Sequence, residues 1–205
     1  MVKQKVRGPR PWMLRLNRWY CRFWHRLPAQ VHALPDGPLI LVGNHRAGVD
    51  PLLVLAAVNR PLCFLMAREY YRKMWYFRWL FDLGGAIPVS PGGANRHALG
   101  EAIETVLEGN VLCLFPEGEA NPRVPLEHIL PGAVILAMET GAPILPFRVT
   151  GVWPFDHQHI WRQFFRRSRA TVHFGEPILL PEGVAGKDAV RYWTEVMKKM
   201  LMEVK

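Results

Sequence analysis

Residues 39–51 read LILVGNHRAGVDP, and this stretch decides the fold class. The apolar run Leu39–Val42 has the length and composition of a buried strand. The residues from Gly43 to Val49 show no periodicity and read as a loop. Asp50 followed by Pro51 is the pattern of an N-cap residue before a proline at the first helical position, so a helix is predicted to about Asn59. A buried strand feeding a helix through a short loop is the building unit of α/β sheets.

The same alternation continues outward from this stretch. Leu62–Ala67, Ala86–Val89, Val111–Phe115, Ile144–Thr150 and Ala170–Phe174 read as strands. Tyr70–Phe81, Arg96–Glu108, Pro131–Thr140 and Lys187–Val204 read as helices, two of them closed by Gly109 and Gly141. No repeat or long linker interrupts the pattern. The expectation is an α/β fold: a single domain over residues 31–205, with a mixed central sheet flanked by helices. It is preceded, within residues 1–30, by an N-terminal amphipathic membrane-surface helix.

Charge placement sets that first segment apart. Residues 1–27 hold Lys3, Lys5, Arg7, Arg10, Arg15, Arg18, Arg22 and Arg26 and no acid, so nearly all of the net charge of +9 resides there. A basic segment of this kind seeks phosphate, on a lipid surface or on nucleic acid. Trp12, Leu16, Trp19, Tyr20, Phe23, Trp24 and Leu27 recur at three- and four-residue steps and form one helical face between Pro11 and Pro28. Trp and Tyr favour the bilayer interface, and Arg stems lie along an apolar face while their heads reach lipid phosphate. The preferred reading is an in-plane helix on an anionic membrane. Packing of the aromatic face on the domain is the plain alternative. A nucleic-acid partner is excluded as the poorest fit, because such a helix rarely needs so apolar a face. Aromatic and basic residues mix again at Tyr70–Phe81 and Trp161–Arg169, as membrane face, acyl groove or core helix with a charged rim.

No stretch approaches the roughly 18 apolar residues that span a bilayer. Arginines interrupt any signal-peptide core. Cys21, Cys63 and Cys113 have neither zinc-ligand nor CxxC spacing, so a reducing compartment and no metal are expected.

Two loop segments carry candidate chemistry. His45 and Asp50 are separated by five positions at a strand end, where α/β folds gather their ligands. A carboxylate on one imidazole nitrogen fixes the tautomer and leaves the other nitrogen to take a proton from a hydroxyl. An alcohol is a poor nucleophile at neutral pH, so acyl transfer requires such a base. The pair alone is equally compatible with a strand-end histidine and a helix cap. The second segment is Phe115-Pro116-Glu117-Gly118. Glu117 there can accept hydrogen bonds from a polar head group or from the amides of the His45 loop. A solvated turn is the plain alternative.

Together the two segments resemble the glycerolipid acyltransferase superfamily, of which the 1-acylglycerol-3-phosphate O-acyltransferases are the largest branch. The family's Asn-His-x4-Asp motif is matched by Asn44, His45 and Asp50, and its Phe-Pro-Glu-Gly motif by Phe115, Pro116, Glu117 and Gly118. Pro131-Gly132-Ala133 and Ala142-Pro143-Ile144-Leu145-Pro146 are similar to two later family segments, so the likeness runs from about Pro38 to Pro181. By resemblance His45 is the general base and Asp50 its orienting partner. Asn44, Phe115, Pro116, Glu117, Gly118 and Ile87 would shape the acceptor site, and Pro143 would lie near the acyl end. No cofactor is implied; acyl-CoA or acyl carrier protein is the co-substrate and a lyso-lipid the acceptor, at the cytoplasmic side of a membrane to which the protein binds peripherally.

Two departures matter. The family's second motif, Gly-x-Ile-x-x-x-Arg, is kept at Gly85 and Ile87 but has Pro91 in place of its arginine. The Thr-Arg-Ser that follows the third motif is replaced by Glu119, Ala120 and Asn121. Both arginines associated with the acceptor's phosphate are thus absent, and Pro and Ala cannot supply their planar fork. Arg96 or Arg123 would have to substitute. An acceptor without a phosphomonoester fits better, and a non-catalytic lipid-binding module that keeps the fold is the alternative function.

Overall fold

The computed structural model describes residues 8–89, 96–118, 126, 128–154, 162–183 and 185–204. Six strands form one sheet: β1 (Leu39–Gly43), β2 (Leu62–Ala67), β3 (Ala86–Val89), β4 (Val111–Leu114), β5 (Ile144–Thr150) and β6 (Thr171–Phe174). Their spatial order is β3-β2-β4-β1-β5-β6. The first five run parallel, and β6 closes one edge antiparallel to β5. The sheet is therefore mixed, as the sequence predicts.

β1 and β4 are buried along their whole length. Strands covered on both faces need no polar alternation, which is why they read as unbroken apolar runs. Their side chains divide between two cores. Leu39, Leu41, Val111 and Cys113 face α1 (Pro11–Trp24) and α2 (Asp50–Ala57). Ile40, Val42, Leu112 and Leu114 face α5 (Arg96–Leu107), α6 (Gly132–Thr140) and α8 (Lys187–Glu203). Parallel strands carry their carboxyl ends to one edge, so the loops after β1, β2, β4 and β5 gather there.

Gly43, the last residue of β1, shows how tightly that edge is built. A Cβ on Gly43 would lie 2.1 Å from a ring carbon of Phe147, and Phe147 is fully buried on the neighbouring strand. The ring has no room to retreat in a close-packed core. Gly43→Ala is expected to destabilise the protein by about 3 kcal/mol, the upper range of overpacking, as read by urea denaturation.

One predicted element differs. Tyr70–Phe81 is not a single helix. It comprises α3 (Arg68–Lys73), a 3-10 turn at Trp75–Phe77 and α4 (Arg78–Leu83). A straight helix would hold residues 71 and 82 about 16 Å apart along its axis. Folding back instead lets the buried Tyr71 hydroxyl meet the Asp82 carboxylate, while Arg78 Nε donates to the same hydroxyl at 3.1 Å.

α1 docks on α2 through its less apolar side. Asn17 Nδ2 donates to the Leu52 carbonyl at 2.8 Å, and the Arg18 guanidinium to the Val58 carbonyl at 2.8 Å. Trp12, Leu16, Trp19 and Phe23 point outward, each more than half exposed. The aromatic stripe is thus split, with Leu27 buried and Tyr20 and Trp24 half-buried.

A buried relay fixes the helix end. The Tyr20 hydroxyl donates to the Phe164 carbonyl at 2.6 Å and lies 2.9 Å from His25 Nε2, while His25 Nδ1 is 2.8 Å from the Ser168 hydroxyl. The donors balance if Nε2 carries the proton and Ser168 donates to Nδ1. Burial pushes the His25 imidazole below its usual value. A lowered histidine pKa contributes stability above pH 6.5 that is lost as pH falls through the folded-state value. Denaturation midpoints are expected to drop from pH 7 to pH 5, and His25→Gln to flatten that drop.

Candidate active site

β1 delivers the chain to the carboxyl edge, and Asn44 is the first residue beyond it. Its Nδ2 donates to the Val149 carbonyl at 3.0 Å, and its Oδ1 accepts the Val149 amide at 2.8 Å. Asn44 was expected at the substrate. With its side chain buried and both ends taken by backbone, it instead bolts the loop to β5.

His45 follows. Its Nδ1 lies 3.0 Å from Asp50 Oδ2; the histidine side chain is 20% exposed and the aspartate 0%. The same Oδ2 accepts the amides of Arg46 at 2.6 Å and Ala47 at 2.8 Å. A carboxylate only accepts, so Nδ1 carries the hydrogen, and in the neutral imidazole the lone pair is on Nε2. Asp50 is not the N-cap the sequence suggests. Val49 occupies that position, without a side-chain cap bond. The Asp50 carboxylate, inside the first turn, reaches back over the loop because two amides and the imidazole converge there.

The Phe115–Gly118 segment is a tight turn aimed at the same loop. The Gly118 amide donates to the Phe115 carbonyl at 3.1 Å, and Gly118 takes φ +75°, a region that favours glycine. The turn directs Glu117 Oε1 onto the His45 amide at 2.8 Å and Oε2 onto the Leu126 amide at 3.2 Å. Burial pushes the Glu117 carboxyl above its usual range, and the two amides only partly pull it back. Pro116 is buried, and its carbonyl accepts the Leu130 amide at 2.6 Å. Phe115 stacks on the His45 ring with centroids 4.3 Å apart and meets Phe147 edge-on at 5.9 Å. Asp50 therefore fixes the tautomer of the imidazole and Phe115, met edge-on by Phe147, its plane, while Glu117 holds the backbone that carries it.

Two expected site residues stand elsewhere. Ile87 lies on β3, only 3% exposed and packed in the core facing α5. Pro143 precedes β5 at the amino edge of the sheet, where its carbonyl accepts the Ile40 amide. Gly43 pairs with Phe147, so Pro143 lies four residues, or about 13 Å, from that level of the sheet. It cannot sit beside His45. Pro146, paired with Val42, is nearer. Pro91, Glu119, Ala120, Asn121 and Arg123 lie outside the described residues, and Arg96 opens α5. Among the described residues, no group of three His, Cys, Asp or Glu could hold a metal ion. None of the described helices is long and apolar enough to cross a membrane.

The sequence profile of the family described as Acyltransferase matches residues 25–150, from the end of α1 to the end of β5. The chain belongs to the acyltransferase family. It is 29% identical over 110 residues to the 1-acyl-sn-glycerol-3-phosphate acyltransferase of Borreliella burgdorferi, covering 53% of this chain and 44% of that protein. It is 28% identical over 127 residues to the N-acylphosphatidylethanolamine synthase of Arabidopsis thaliana, covering 56% of this chain and 45% of that protein. The acyltransferase chain thus spans a little under half the length of these relatives. The crystal structure of the 1-acyl-sn-glycerophosphate acyltransferase PlsC from Thermotoga maritima superposes with a TM-score of 0.63 at 23% identity, over 95% of this chain and 81% of that one. The likeness establishes a shared fold.

Proposed function

We propose that the protein is a membrane-bound O-acyltransferase that moves a fatty acyl group from acyl-CoA or acyl carrier protein to a lyso-lipid hydroxyl. The observation that carries the reading is the 3.0 Å contact between His45 Nδ1 and Asp50 Oδ2 at the carboxyl edge of the sheet. It leaves Nε2 as the base. The acceptor oxygen attacks the thioester carbonyl carbon as Nε2 takes the hydroxyl proton. The tetrahedral intermediate collapses, the C–S bond breaks, and the imidazolium returns the proton to the departing thiolate. Asp50 stabilises the imidazolium throughout. The outward aromatic face of α1, with Arg15 and Arg22 exposed beside it, would hold the domain on the cytoplasmic surface of an anionic bilayer, where a lyso-lipid acceptor resides.

The relatives' names span two acceptor types, a 1-acyl-sn-glycerol-3-phosphate and a phosphatidylethanolamine. With Pro91 and Ala120 in place of phosphate-binding arginines, and Glu119 preceding Ala120 in the sequence, the acceptor is proposed to lack a phosphomonoester. Purified protein would be incubated with isotopically labelled acyl-CoA and a panel of lyso-lipids, and products identified by mass spectrometry. Zwitterionic or uncharged lyso-lipids are expected to turn over about tenfold or more faster than lysophosphatidate, since charge-assisted phosphate contacts are missing. Preferred turnover of lysophosphatidate would reject the acceptor assignment. No acyl transfer to any acceptor, from either donor, would point to a lipid-binding module that merely keeps the fold.

A further inference from the structure

Exposed aromatic side chains gather in two segments, the one that follows β5 and the one that follows β2. On the β5 flank, Phe165 of α7 (Arg162–Phe165) is 71% exposed. The Arg166 guanidinium covers the Trp153 ring at 3.3 Å, and Arg167 lies over Phe23 and Trp24 of α1 at 5.3 and 5.0 Å. This flank is continuous with the outward face of α1. On the other flank, the chain leaving β2 presents Trp75, Tyr76 and Trp79 at 72%, 46% and 57% exposure. Arg72, Lys73 and Arg78 are exposed among them. The strand order places β4 and β1, and with them Glu117 and His45, between the two flanks.

Trp75 and Tyr76 meet edge-on with centroids 5.8 Å apart, and a separate buried contact ties the two ends of their segment together. The buried Tyr71 makes it, through Asp82 and Arg78. Asp82 and Arg78 are thereby committed to one another and to Tyr71, which leaves Glu69 as the other acid against the exposed Arg72 and Lys73. Tryptophan and tyrosine rings among lysine and arginine match the headgroup zone of an anionic bilayer, where apolar rings and polar edges are both accommodated. A protein partner of matching apolar and acidic surface would need the same rings but not a lipid phase.

We propose that the Arg68–Leu83 segment is a second bilayer contact. The bilayer then meets the segments after β2 and β5, which lie on either side of the strands that lead to Glu117 and His45. The inference rests on the proposed reaction with lipid for its purpose, but its test does not depend on turnover. Wild-type protein would be mixed with phosphatidylcholine vesicles with and without phosphatidylglycerol, and with vesicles of brominated lipid that quench tryptophan on contact. Two variants read the patch: Trp75→Ser/Tyr76→Ser/Trp79→Ser, and the conservative Trp75→Phe/Trp79→Phe. Trp12→Ser/Trp19→Ser/Phe23→Ser on α1 serves for comparison.

The serine variant is expected to lose about tenfold in partition to anionic vesicles, a loss similar to that of the α1 variant. The phenylalanine variant should keep its partition but show a smaller bromolipid-quenched signal, because the two reporters have gone. Turnover of a short-chain lyso-lipid below its micelle concentration should be unchanged in both. Unaltered flotation of the serine variant, or an undiminished quenched signal in the phenylalanine variant, would overturn the proposal. So would loss of self-association in the serine variant with flotation intact, which would assign the patch to a second copy of the chain. If wild type acylated no lyso-lipid while Trp75 and Trp79 were quenched, the reaction would fall and the membrane contact would stand.

Discussion

Replacing His45 with alanine is expected to lower acyl transfer by roughly 10³-fold, the range that a positioned general base supplies. The loss should appear in kcat, measured with saturating labelled acyl-CoA and lyso-lipid. Binding to vesicles and the thermal midpoint should change little. The structural reason is that the backbone amide of residue 45, not the ring, anchors the loop to Glu117. The ring contributes a stacking contact with Phe115 and the Nδ1 bond to Asp50, at a position already 20% exposed. An alanine variant with full turnover would remove His45 from the reaction, whatever the acceptor.

Asp50→Asn is expected to cut kcat/KM by about 10²- to 10³-fold, through loss of charge rather than of geometry. One oxygen of Asp50 accepts three donors: the His45 ring and the amides of Arg46 and Ala47. Those two amides require an acceptor at that point, so the asparagine oxygen should occupy it and the tautomer should survive. What disappears is the negative charge that stabilises the imidazolium as the proton arrives. The asparagine NH2 would then fall where Oδ1 is buried without a hydrogen-bond partner among the described residues. A modest loss of stability, of about 1–3 kcal/mol, should accompany the kinetic effect. Asp50→Ala removes all three bonds and should unfold at lower denaturant than the asparagine variant. Undiminished turnover of Asp50→Asn in the acylation assay would reject the dyad.

These two residues were legible in the sequence because their relation is local. Five positions separate them, and a loop entering a helix brings such a pair together by chain geometry alone. The strands were legible for a similar reason. Leu39–Val42 and Val111–Leu114 are short apolar runs without alternation, the mark of strands buried on both faces. The break in Tyr70–Phe81 was not legible. Helical periodicity records which residues can share a face, and it is silent about Tyr71 finding Asp82 across a fold-back. Pro143 illustrates a further limit. A motif near a strand names residues, but which end of the strand meets the site depends on strand direction, and β5 runs parallel to β1.

The sequence by itself determined the α/β class, the basic aromatic helix and the pairing of His45 with Asp50, because periodicity, charge and short-range spacing act along the chain. Only the tertiary structure decided what holds that pair in place. Val149 lies 105 positions from Asn44, and Glu117 lies 72 from His45. The ring that crowds Gly43 belongs to another strand. Tertiary packing alone also turned Trp12, Leu16, Trp19 and Phe23 of α1 outward and left Trp75 and Trp79 exposed on the segment after β2. Such contacts arise when parallel strands bring distant loops to one edge, and no local pattern encodes the partner a side chain meets there.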